Sequence, residues 1–378
     1  MTDGPTRTDL MIHAGAIVAL RLFDIAYSID LARIEALATR QPGSVSRAKL
    51  STTPEKAVAF GVPPVVLALG PVTIGSGEAA MRADVTARFY DFGAIALAVR
   101  VSVSAMPWPD FATAVQAVDQ AIGPAADRAF WQALLDRVLA IVAPALDRPS
   151  AAAIEEDYLL AIVHELDEPL TAAGLLDRVD LVPLLSGERR ALSESARRDL
   201  LRQSFSYYVD DLVVLTWDRA FIYEPRGDSD VADVLEVANA QLLELRYYDE
   251  LLDDELPAMY DRVEAARGTR PLFAARRFAE LARRLYTLVA EVTELTEKVD
   301  NALQVTEDVY LARIYATALD LFRVPKLGAA VDRKLAIIRD TYTALYDEAS
   351  GSRAEILELA IIVLIMIEIV LAVISLSH

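Results

Sequence analysis

Cysteine is absent from the 378 residues. Disulfides, thiolate nucleophiles and cysteine-built zinc sites are therefore excluded. Histidine is nearly absent: His13, His164 and His378 are too scattered to suggest a metal cluster. His164-Glu165-Leu166-Asp167-Glu168 opens like a zinc-protease helix but lacks the second histidine of H-E-x-x-H. No GxxxxGK[ST] phosphate loop, no G-x-G-x-x-G after a strand and no G-x-S-x-G elbow occurs. Gly75-Ser76-Gly77 is too short to replace them. Met1–Leu10 carries Asp3, Arg7 and Asp9 and no apolar run, which reads against a secretory signal. Basic charge is also scarce, with 37 Lys and Arg against 56 Asp and Glu and a net charge of -19. Such a surface repels phosphate backbones, so no direct nucleic-acid partner is expected. It repels anionic headgroups as well, so any membrane contact must come from hydrophobic insertion. From these absences follows the expectation of a protein that is not an enzyme, with no catalytic residues, no cofactor and no metal.

One long hydrophobic run is present. Ile356–Leu376 reads ILELAIIVLIMIEIVLAVISL. As a helix it spans about 31 Å at ~1.5 Å per residue, which matches a hydrocarbon core of ~30 Å. Arg333, Lys334, Arg339 and Arg353 precede it, and only Ser377 and His378 follow. The positive-inside rule then places the body on the cytoplasmic side of a single-pass C-terminal anchor. Glu358 sits where headgroups would begin. Glu368 lies near the middle, where a carboxylate is costly. It either contacts another helix or is a tolerated neutral acid.

The remainder divides at Arg226-Gly227-Asp228. Residues 11–227 mix strands and helices. His13–Leu22, Val65–Leu69, Val72–Ile74, Val85–Tyr90, Ala94–Val103 and Tyr158–Leu166 read as strands. Asp24 or Ser28 is a candidate cap for a helix running to about Arg40, and Ser193 for one running to Arg202. Gln41–Pro54 reads as a polar loop. Trp108–Ile122 and Ala129–Ala143 read as helices. Phe205–Pro225 reads as two strands joined near Asp218-Arg219. Tyr90–Leu97 echoes Tyr208–Leu215, which is compatible with a duplicated α/β unit. Residues 228–350 are helical. Val231, Leu235, Ala238, Leu242, Leu245, Leu252, Leu256, Met259 and Val263 step by three and four, with Asp249 at the one missing place. A second seam runs from Phe278 through Leu281, Leu285, Leu288, Val292, Leu295 and Val299 to Thr306 and Val309. A third runs through Val331, Leu335, Ile338, Tyr342 and Leu345. Gly268-Pro271 and Pro325-Gly328 mark the turns. Pro257 is expected to kink or interrupt the first helix. The fold expected is thus α+β: a mixed α/β region, an antiparallel helical hairpin or coiled coil, and a transmembrane helix at 356–376.

Several of these stretches resemble the RMD/YagE family (required for meiotic nuclear division), a domain of unknown function, in its bacterial branch. Tyr90, Phe92 and Gly93 match its Y-x-F/Y-G signature. Tyr207, Asp210, Asp211 and Trp217 match a second stretch, and Arg246, Tyr247 and Asp249 a third. The ending, with Glu358 and Glu368 around an apolar run, matches as well, although Leu359 stands where the family has tryptophan. The resemblance covers about residue 11 to the C-terminus. It implies a membrane protein without catalytic residues to carry over. Mitochondrial members hold ribosomes near the inner membrane, and fungal members are linked to meiotic division. The reading that follows is a membrane-anchored scaffold or tether with an unidentified protein partner. The alternatives are a homo-oligomer assembled through the C-terminal helices and an unrecognised enzyme in the α/β region. Asp210-Asp211 reads as turn-holding acids rather than a cation site, and Asp249 as a polar register device in its seam.

Overall fold

The computed structural model describes residues 10–38, 45–47, 59–60, 62–77, 80–126, 128–150, 154–188, 190–227, 230–267, 271–304 and 309–376. Within these, side chains at 38, 45, 59–60, 266–267, 271–275, 295–296, 298–304, 348–357, 359–360 and 370–376 are not described. Most of the Gln41–Pro54 loop, the Gly268 turn and Thr306 lie outside the described residues, as do the side chains of Leu295 and Val299. Among the described residues no helix is long and apolar enough to cross a membrane.

The chain forms two compact units, one of residues 1–246 and 298–325, the other of 247–297 and 326–378. The first opens with β1 (Met11–Asp24), β2 (Ala26–Ile29) and α1 (Leu31–Ala38). Short β3 (Val45–Arg47) and β4 (Ala59–Phe60) follow, then β5 (Val65–Ile74), β6 (Met81–Phe89), β7 (Ala94–Val103) and β8 (Met106–Pro107). Helices α2 (Trp108–Ile122) and α3 (Ala129–Val142) lead to β9 (Leu146–Pro149) and β10 (Glu155–Leu166). Next come α4 (Ala172–Arg178), α5 (Val182–Ser186), α6 (Glu194–Leu200), β11 (Ser204–Phe205), β12 (Leu212–Leu215) and β13 (Arg219–Tyr223). The long helices are α7 (Val231–Arg267), α8 (Pro271–Ala302), α9 (Val309–Leu321) and α10 (Val324–Leu376), with β14 (Leu303–Gln304) before α9.

Ten strands form one sheet in the order β11-β12-β13-β10-β1-β7-β6-β5-β3, with β8 paired to β1. Neighbours are antiparallel except β10 and β13. Both echoing stretches, leading into β7 and β12, therefore enter the same sheet. Alternation along β1 sends Ile17, Ala19 and Phe23 to one face and Ala16, Val18, Leu20 and Leu22 to the other, and all seven are buried. A strand buried on both faces needs cover on both. On the first face that cover is α2 and α3, whose Phe111, Val115, Val118 and Trp131, Leu135, Val138 recur at helical spacing. On the second face it is the start of α7, where Val234 to Leu245 are buried without exception. Twelve consecutive buried residues exceed three turns, so every side of this helix is covered. Part of that cover comes from α9, whose Tyr315 hydroxyl donates to Gln241 Oε1 at 2.7 Å.

Several expectations change. Asp24 and Ser28 start no helix, because Ala26–Ile29 pairs with Leu146–Pro149 as a strand. The helix begins at Leu31, where Asp30 Oδ1 accepts the Arg33 amide at 3.0 Å. Gly70-Pro71 does not split a strand. β5 runs through it with a register shift between Ala68 and Gly70, and Gly70 takes φ 84°. A bulge is where a sheet accepts proline. Pro257 does not interrupt α7, which is continuous from Val231 to Arg267. Tyr248, 1% exposed, fills the place in the seam assigned to Asp249.

In the second unit Leu252, Met259, Phe278, Leu281, Leu285, Val292, Val331, Leu335, Ile338 and Leu345 are buried. These are seam positions of α7, α8 and α10, while Leu256, Val263, Leu288 and Tyr342 of the same seams are half-buried.

Candidate functional site

Tyr90–Gly93 is the turn joining β6 to β7. Gly93 has φ 109°, and a Cβ there would lie 1.9 Å from the Ala26 carbonyl oxygen. The Gly93 and Asp91 carbonyls accept the Ile25 and Ile29 amides at 3.1 and 3.0 Å. Tyr90 and Phe92 are buried and stacked at 5.1 Å. The Tyr90 hydroxyl donates to Glu236 on α7 at 2.7 Å. Arg88 reaches Asp233 at 2.7 Å and Glu236 at 3.4 Å. Burial pushes the Glu236 carboxyl up, against the pull of Arg88. Burial, and then the Glu236 charge, push the Tyr90 hydroxyl well up. Burial alone would lower Arg88, but the two carboxylates more than reverse this. This motif is a joint that fastens the start of α7 to the sheet.

A second clamp lies thirteen residues along α7. Arg246 Nη1 meets Glu156 Oε1 of β10 at 2.7 Å. Burial is the main reason that the Glu156 carboxyl is pushed up to about 7, with Arg246 opposing it. Between the clamps the helix rises ~20 Å and crosses from β6 to β10, three strand spacings or ~14 Å.

On the opposite face lies a charged network whose one local sign is the lone arginine inside apolar β1. Arg21 is 3.4 Å from Glu155 and 3.9 Å from Asp157, and Arg128 reaches Glu155 at 2.7 Å. Arg219 holds Asp119 at 2.8 Å and Asp218 at 3.4 Å. Burial pushes the Asp157 and Asp218 carboxyls up. Among the described residues Arg21 Nε and Arg219 Nη1 have no hydrogen-bond partner. The cleft they line is about 20 Å³, enough for a water, which needs ~10–15 Å³, and for little else. His164 Nδ1 lies 3.2 Å from the Glu224 carbonyl oxygen. Among the described residues no group of three His, Cys, Asp or Glu is placed to hold a metal.

The Asp210-Asp211 stretch shapes a surface. Asp211 Oδ1 accepts from Ser206 Oγ at 3.0 Å and from the Tyr207 and Tyr208 amides at 2.7 and 3.1 Å. The Val209 carbonyl accepts the Ala172 amide at 2.9 Å. Tyr207, Tyr208 and Val209 consequently stand out in solvent. Among the described residues Asp210 makes no hydrogen bond in this loop, and its charge acts on the Tyr223 hydroxyl. Trp217, in the β12–β13 turn, is exposed too. The structure does not bring Trp217 together with Tyr90.

In the second unit Lys334 Nζ bridges Asp249 at 2.6 Å and Asp253 at 2.7 Å. Tyr247 is half-buried, its ring 5.5 Å from that of Tyr248. Tyr286, Tyr342 and Tyr346 form a row with centroids 5.8 and 6.3 Å apart. At the far end of α10, Glu358 and all of Ile361–Ile369, Glu368 included, are exposed. Nine residues make two and a half turns, so apolar side chains cover every side of the helix there.

Fold and surface together define a mixed α+β body on one large sheet, continued by long helices, with an exposed aromatic loop and a bare apolar helix end. A family model described as "Uncharacterized protein MJ0711, N-terminal domain" matches residues 14–230, and the chain belongs to that family. The match runs from β1 to the doorstep of α7. The uncharacterized protein MJ0711 of Methanocaldococcus jannaschii is 25% identical over 193 residues, or 51% of this chain and 58% of that protein. The match thus spans less than two-thirds of that relative. No solved structure matches the chain.

Proposed function

We propose that this protein is a membrane-anchored, non-enzymatic scaffold or tether with its body on the cytoplasmic side. The observation that carries this reading is the exposure of Ile361–Ile369 on all sides of α10. Eight of these nine side chains are large and apolar. At ~1.5–3 kcal/mol for each one buried, leaving them in water forgoes roughly 10 kcal/mol or more. The apolar sequence from Ile356 to Leu376 is long enough to place them in lipid. The basic residues before it support the orientation. The resemblance to the RMD/YagE family, whose members include inner-membrane proteins, supports the same placement.

Alkaline carbonate extraction of membranes tests it. Full-length protein should stay in the pellet, and a chain ending at Ser350 should not. Full-length protein in the supernatant would reject the anchor. Addition of protease to right-side-out vesicles should leave the body intact.

A second reading, self-assembly through the C-terminal helices, has its own observation: the Tyr286–Tyr342–Tyr346 row together with Glu368 in an apolar stretch. Crosslinking in native membranes should then give discrete multimers that Glu368→Leu reduces. Persistent monomer would eliminate it.

A further inference from the structure

We propose that the Ser206–Asp211 loop and the first turns of α9 are a docking surface for a short acidic segment of a partner protein. This deepens the tether reading, and rests on it, by giving the chemistry of what is held.

The loop is built to present apolar groups rather than to hide them. Asp211 Oδ1 anchors three donors, and the Val209 carbonyl is tied to the Ala172 amide. What this fixed backbone displays is Tyr207 at 63% exposure and Val209 at 76%, beside Val309 at 74%. The Tyr207 ring lies 4.8 Å from Tyr208 and 5.4 Å from Tyr310, so the rings form one continuous patch. A preordered loop loses little entropy on binding. Tyrosine and arginine are also the residues that dominate binding energy at interfaces.

Charge selects the occupant. The Arg226 guanidinium sits 4.3 Å over the Tyr208 ring and that of Arg313 5.6 Å from Phe205. Both arginines are exposed, and among the described residues neither makes an ion pair. In a chain of net charge -19, two exposed cations with no ion pair among the described residues, one over the exposed Tyr208 ring and one over the buried Phe205 ring, are complementary to carboxylates next to an apolar side chain. A second copy of the chain brings a net charge of the same sign, and an anionic bilayer repels the body as a whole.

The test places a photo-crosslinking benzoylphenylalanine at Val209 in the full-length chain, expressed in its own host. Membranes are irradiated and the crosslinked peptides identified by mass spectrometry. The proposal expects a segment of another protein with a net negative charge. That crosslink should fall about tenfold with Arg226→Glu and Arg313→Glu together, and survive Arg226→Lys with Arg313→Lys. An unchanged thermal melt of each variant shows that folding is retained. Crosslinks to lipid, to a second copy or to a neutral or basic segment overturn the proposal, as does no crosslink at all. Sedimentation of the same samples separates the two readings. Protein that pellets with membranes but does not crosslink rejects the docking surface alone. Protein that crosslinks but stays soluble rejects the anchor alone.

Discussion

Gly93 holds a backbone conformation that a side chain cannot share. Its φ of 109° is strained for other residues, and an added Cβ would meet the Ala26 carbonyl oxygen at 1.9 Å. Gly77 offers a control, with φ 62° and nothing within 4 Å of the added atom. Gly77→Ala should cost only the strain, about 1–2 kcal/mol. Gly93→Ala should cost strain plus the clash, ~3 kcal/mol or more. Urea unfolding of the full chain in mild detergent measures both, and equal losses would reject the close approach. The Tyr90-x-Phe92-Gly93 stretch was visible in the sequence, but its role was not. Its partners are the Ile25 and Ile29 amides and Glu236, the last 146 positions away from Tyr90. Arg21 is the opposite case, since a charge inside an apolar strand is a readable sign of a buried partner. Which carboxylates answer it depends on β10, brought alongside only by folding.

The long helices were the most legible elements, because an apolar step of three or four is a local property. Their buried seams in α8 and α10 fall where the spacing puts them. The first seam slips by one residue at Tyr248, because a large ring takes the interior and leaves Asp249 to reach Lys334. Strand β2 was not legible, because its partner β9 lies more than a hundred residues on. Its length of four residues also gives too little pattern. Pro257 was given too much weight, since a 37-residue helix supported along its length absorbs one missing hydrogen bond. That bond has a price tag that can be measured. Pro257 cannot donate to the Asp253 carbonyl, so Pro257→Ala should stabilise the full chain by about 1–3 kcal/mol. Thermal melting of the helical circular dichroism signal reads this directly. An unchanged or lowered midpoint would mean that the proline ring itself packs usefully or that the helix needs the local weakness.

At the scale of the whole molecule, strand order was beyond the sequence, because nothing local puts β13 beside β10 or sends α7 across four strands. That assembly has a consequence for pH. It buries Asp24, Glu156 and Glu236 and half-buries Asp157 and Asp218, and this desolvation pushes all five carboxyls up, Asp24 to about 6 and Glu156 to about 7. In the unfolded chain Glu156 returns to its ordinary value of 4.5. Between those two values the folded state holds a proton that the unfolded state has lost. Stability therefore falls as pH rises through this window and levels off above it. The other four act in the same direction in their own windows. Mutual repulsion in a chain of net charge -19 also grows as carboxyls ionise, so a falling curve alone does not assign the cause. Glu156→Gln does, because it removes one titration and leaves the rest. Comparing unfolding free energies at about pH 5 and about pH 8, the variant should lose less than the parent by about 2–3 kcal/mol. Parallel curves would mean that Arg246 keeps Glu156 ionised across the range. The second clamp on α7 would then be a fixed ion pair rather than a carboxyl that the sheet keeps protonated near neutrality.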